Sequence, residues 1–98
     1  MEEQLVALTR QLAQEVRQSL QEQPTLHAAQ RSVQIADSWL LTVQQSRSQS
    51  KPQVGFHLLD LGRAPKRRSI VEGLEEFLFN ANLDEVEALA RRLEGEIA

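Results

Sequence analysis

The leucine spacing near the start of this chain constrains its fold more than any other feature. Leu5, Leu8, Leu12, Val16 and Leu20 recur at intervals of three and four. Helical geometry puts such residues on one face. Glutamine and glutamate, both good helix formers, fill most of the other positions. The pattern stops at Gln23–Pro24, because proline disfavours helical geometry in the residue before it. The reading is a helix over about 2–22.

Pro24 suits the first turn of a second helix. Leu26, Ala29, Val33, Ala36, Leu40 and Val43 then alternate in steps of three and four, a heptad seam. The spacing predicts a helix over about 24–46. Ala29 and Ala36 are small enough for a neighbouring helix to come close. Ile35, Trp39 and Leu41 fall off the seam, so this helix is expected to contact more than one neighbour.

Residues 44–53, "QQSRSQSKPQ", carry almost no apolar surface and read as a polar loop. The segment that follows, Val54–Gly62, is ambiguous. Its punctuation, Pro52 before and Gly62 with Pro65 after, suits a short helix or an irregular apolar segment. Val54, Phe56 and Leu58 alternate like a strand over about 54–61, although the Leu58–Leu59 pair breaks the alternation. A strand here has no obvious partner in the chain, and its open edge would call for a second copy.

Two helix starts follow. Ser69 with Glu72, and Asn82 with Glu85, have the spacing of a capping box. They predict helices over about 70–80 and 83–97. The first would turn Ile70, Leu74, Phe77, Leu78 and Ala81 to one side. The second would do the same with Leu83, Val86, Ala90, Leu93 and Ile97.

Ninety-eight residues allow one domain, 1–98. The sequence therefore predicts an all-α fold of helical-bundle type. A long antiparallel hairpin (2–22 and 24–46) would pack against two shorter C-terminal helices. Those two cannot cover both apolar sides of the second helix. A homodimer is expected, with two hairpins forming a four-helix bundle; the competing reading is a monomeric four-helix domain with Trp39 as its central core residue. Ile35, Trp39, Phe56 and Phe79 are the interface candidates.

Composition excludes several chemistries. There is no cysteine, so disulfides, thiolate metal sites and thiol catalysis are absent. That fits a reducing cytoplasm. The acidic N-terminus lacks the features of a signal peptide. No apolar run approaches the ~18 residues that span a bilayer, so no membrane contact is expected. The two histidines, His27 and His57, stand thirty residues apart in no catalytic context. His57 with Asp60 is one potential ligand pair on a helix, too few for a metal. The four glycines are single, so there is no phosphate loop. No catalytic, metal or cofactor residue is assigned, no small-molecule ligand is expected, and the protein is read as non-enzymatic.

One stretch stands apart. "GRAPKRRSI" (62–70) holds Arg63, Lys66, Arg67 and Arg68 in a chain of net charge −3. They lie just before the expected N-cap Ser69, where positive charge opposes the helix dipole. They are not there to stabilise a helix. Cations beside free helix N–H groups describe an anion-binding loop, 62–68. The competing reading is a solvated loop balanced by Glu72, Glu75 and Glu76. Among ligands, an acidic protein comes first. Nucleic acid comes second, since no aromatic in the cluster can stack on bases and the chain is acidic. The sequence thus reads as a small helical interaction module: an adaptor, assembly factor or subunit that self-associates and selects an anionic partner. The alternative is a nucleic-acid-associated regulator contacting phosphates through 63–68.

Overall fold

The first helix forms as its leucine spacing demands. In a computed structural model, which describes residues 1–59 and 71–97, α1 runs Glu2–Glu22. It buries Leu5, Thr9, Leu12, Ala13, Val16, Ser19 and Leu20. The buried face is turned slightly from the leucine row, and Leu8 is only half-buried.

The second helix does not exist. Residues 28–58 form an antiparallel sheet of order β1-β2-β3, with β1 Ala28–Ala36, β2 Trp39–Ser46 and β3 Gln53–Leu58. The fold is α+β, which overturns the all-α helical bundle. The same residues carry two periods. Val33, Ile35 and then Trp39, Leu41, Val43 also alternate in steps of two, with Ala29 in phase two steps before Val33. Val33, Ile35, Thr42 and Val43 are β-branched and Trp39 is aromatic, all types that fit a pleated half-buried surface. Asp37–Ser38, both turn formers, sit in the middle of the supposed helix. They make the two-residue turn between Ala36 and its partner Trp39.

No non-glycine residue described has a positive φ, so this turn is not of the primed kind that matches strand twist. A register shift between Gln34 and Ala36 takes up the mismatch. Gln34, Ile35 and Ala36 are all buried around it.

The ambiguous stretch resolves as β3. It ends earlier than the 54–61 alternative and pairs with β2 of its own chain, in the register Val43↔Val54. It needs no second copy. The polar loop shrinks to 47–52, because Gln44, Gln45 and Ser46 belong to β2 and Gln53 to β3.

After the basic segment, α2 is short, Leu74–Asn80, and starts later than expected. Gly73 precedes it at φ 79°. Ser69 lies outside the described residues, so its capping box does too. Asn82 caps α3 (Leu83–Glu96) as read, its Oδ1 accepting from the Glu85 N–H at 2.9 Å. Leu83 itself is exposed rather than buried, and Leu89 takes its place on the inner face.

Helices α1 and α3 cover one face of the sheet, α1 over β1 and β2, α3 over β3. Arg10 ties them by donating to the Glu96 carbonyl at 3.1 Å and pairing with its carboxylate at 3.4 Å; Arg92 pairs with Glu2. One apolar cluster fills the space between the layers, including Leu5, Val16, Leu41, Val43, Leu74 and Leu93. Burying each such leucine or valine contributes about 1.5–3 kcal/mol. The bundle-forming dimer loses its basis, since the helix with two apolar sides is a hairpin of strands.

Candidate interaction surface

The strand register sorts side chains onto two faces. Ala29, Val33, Leu41, Val43, Val54 and Phe56 face the helices. The opposite face carries three cross-strand rows: Gln30–Gln44–Gln53, Ser32–Thr42–Gly55, and Gln34–Leu40–His57. In the first row all three glutamines are exposed. In the second, Ser32 and Thr42 hydroxyls meet at 2.8 Å. Gly55 leaves room in that row, because a Cβ there would lie 3.3 Å from His57 Nε2.

A shallow depression of about 480 Å³ lies at the glutamine end of the sheet, between Gln30, Gln44, Gln45, Gln49 and Gln53. Gln49 shapes it: its Oε1 accepts from the Ser46 N–H and its carbonyl from Gln45 Nε2, both at 2.9 Å. Every side chain named is neutral. Amides both donate and accept, so this surface suits neutral hydrogen-bonding groups rather than ions.

The interface candidates scatter. Ile35 is fully buried inside the chain. Trp39 and Phe56 are half-buried against the core. Phe79 is 54% exposed, and Leu83, across the α2–α3 turn, is 71% exposed. Arg63, Lys66, Arg67 and Arg68 lie outside the described residues. Asp60 does as well. The strand register sets His27, which continues β1 opposite Arg47, seven positions from the row of His57, opposite Leu40. At about 3.3 Å per residue that is roughly 23 Å. Among the described residues no three His, Asp or Glu side chains converge as metal ligands. None of the helices described is long and apolar enough to cross a membrane.

Sequence reasoning missed the glutamine row entirely. Its signal was available only in the strand register: Gln30 and Gln44 stand two heptads apart, but Gln53 shares no helical spacing with either. Comparison with family models, curated proteins and solved structures finds no match for this chain.

Proposed function

We propose that this protein is a small non-enzymatic α+β interaction module, an adaptor, assembly factor or subunit, acting in the cytoplasm. One observation carries the reading. Phe79 and Leu83 present large apolar side chains to solvent on either side of the short turn that joins two helices. Single exposed apolar residues are ordinary, but a pair on one corner offers a partner a place to insert. The basic residues Arg63, Lys66, Arg67 and Arg68 precede α2 in the chain. They would select an acidic partner protein by charge, raising the encounter rate more than the final affinity.

The test is quantitative affinity purification from the native host, with wild type, Phe79→Ser/Leu83→Ser, and Lys66→Glu/Arg67→Glu/Arg68→Glu. The reading expects one protein to be lost selectively with both variants. It fails when the protein inventories of all three match. The four clustered cations favour one alternative, a nucleic-acid partner. That alternative expects affinity for an oligonucleotide to fall steeply with salt, as released counterions require, and to vanish in the triple charge variant.

A further inference from the structure

The sheet has two edges, and the described residues close only one of them. On β3, the Val54 N–H points away from β2 and donates to Glu94 Oε1 of α3 at 2.9 Å. Pro52 and Lys51 stand at the start of that strand, both of which discourage strand addition. Among the described residues, the β1 edge has no such cover along its first half. The Arg47 N–H donates to the His27 carbonyl at 2.7 Å. Antiparallel pairing alternates, so Ala29, Arg31 and Val33 spend their backbone groups on β2. Ala28, Gln30 and Ser32 therefore aim theirs outward. All three residues are exposed, and their N–H groups have no partner among the described residues. The Gln30 carbonyl takes one bond, from Arg31 Nη1 at 2.9 Å, and keeps its second lone pair.

We propose that β1 pairs antiparallel with β1 of a second copy, about a two-fold axis at Gln30, to make one continuous six-stranded sheet. The register is decided by charge and by the glutamine row. An axis at Arg31 would set two guanidinium groups directly opposite, which is destabilising. An axis at Gln30 sets Arg31 opposite Ala29 and Ala28 opposite Ser32, so each larger or charged side chain meets a small one. The Arg31 guanidinium is held toward α1 by Ser19 Oγ at 2.6 Å. The same axis sets Gln30 opposite Gln30. The row Gln53–Gln44–Gln30 then continues without a break into its symmetry mate. Glutamine donates and accepts at once, so it is complementary to itself, as in stacked amide ladders. An isologous interface requires such self-complementarity. This pairing uses no residue of the Phe79–Leu83 corner and stands or falls apart from the function proposed above.

The experiment is light scattering of the purified chain over a wide concentration range, combined with amide hydrogen exchange. The expected mass rises with concentration from one 11.1 kDa chain to twice that value. Exchange at Ala28, Gln30 and Ser32 slows in parallel. Gln30→Lys places like charges at the axis, and Ser32→Pro removes an outward N–H that β2 does not use. Each is expected to weaken the dimer at least tenfold, while Trp39 fluorescence reports an intact hairpin. Gln53→Lys, two strands from the axis, leaves the mass unchanged. A single-chain mass at every concentration overturns the proposal. So does a dimer that survives both edge variants, or one abolished instead by Phe79→Ser/Leu83→Ser.

Discussion

Arg47 donates to the carbonyl oxygen of Leu20 at 2.9 Å, across twenty-seven residues of chain. The same guanidinium reaches the carbonyls of Gln23 at 3.0 Å and Leu26 at 2.8 Å. The last four carbonyls of a helix have no partner within it, and a cation there also complements the dipole. The last turn of α1 holds no basic residue of its own. The β2–β3 loop supplies one, and so links the end of the helix to the sheet.

Removing that cation should loosen the end of α1. Arg47→Met keeps the aliphatic stem and deletes the donors. A loss of about 1–3 kcal/mol is expected, the range for hydrogen bonds made by charged groups, read from the shift of a urea melt. Arg47→Lys should restore only part of it, because one ammonium cannot span three carbonyls as a planar fork does. Unchanged stability in Arg47→Met would show that solvent serves these carbonyls equally well.

Two glycines should respond with opposite signs. Gly73 has φ 79°, and a Cβ there would touch nothing. The cost of Gly73→Ala is therefore conformational alone, about 1–2 kcal/mol. Gly55 lies within β3, and its added Cβ would meet only the ring of exposed His57, at 3.3 Å. That ring can swing outward. Gly55→Ala should stabilise by about 0.4–1 kcal/mol, because it reduces the freedom of the unfolded chain. Thermal melts of both variants beside wild type check the pair of signs.

The elements legible in the sequence are those where one period has no rival. In α1 the spacing of Leu5, Leu12, Val16 and Leu20 contradicts strand alternation, and the helix is where the leucines place it. Asn82 and Glu85 state a helix start by local chemistry alone. Between Leu26 and Val43 two periods coincide. Ala29, Val33 and Ala36 satisfy the heptad, while Val33, Ile35, Leu41 and Val43 satisfy the alternation. The heptad reading had to place Asp37–Ser38 on a helix and leave Ile35 and Trp39 over, and those were the signs of a hairpin. The open face was illegible for the same reason. Gln30, Gln44 and Gln53 become neighbours only once the register is known. The Arg47 clamp needs the tertiary fold as well, since nothing local links a loop arginine to a helix end.

The Val54–Glu94 bond predicts a local response. Glu94 of α3 closes the β3 edge at Val54. Glu94→Ala leaves the Val54 N–H without its acceptor and should cost about 1–3 kcal/mol. Glu94→Gln keeps a carbonyl oxygen at the same reach and should recover most of the loss. Hydrogen exchange at Val54 separates this from a general weakening: it should speed up in Glu94→Ala and stay slow in Glu94→Gln. Equal exchange in all three proteins would mean that the edge is closed by something other than Glu94.

Thr9 predicts a gain. It lies on the inner face of α1 at 0% exposure, and its Oγ1 is buried with no hydrogen-bond partner among the described residues. A buried hydroxyl that forgoes water without a replacement is destabilising by about 1–3 kcal/mol. Thr9→Val substitutes a methyl for the hydroxyl at nearly the same shape, and the two residues differ little in helix propensity. Stability should rise by up to about 1 kcal/mol, since some of the penalty returns as imperfect packing. Thr9→Ala removes the hydroxyl and the γ-methyl, which leaves it two methyl groups short of Thr9→Val, so it should fall below that variant by about 1.5 kcal/mol. Chemical melts of the three proteins give the order. A Thr9→Val protein less stable than wild type by more than 1 kcal/mol would mean that the hydroxyl is bonded in solution. The packing of α1 on the sheet would then have to turn enough to bring Oγ1 to a carbonyl.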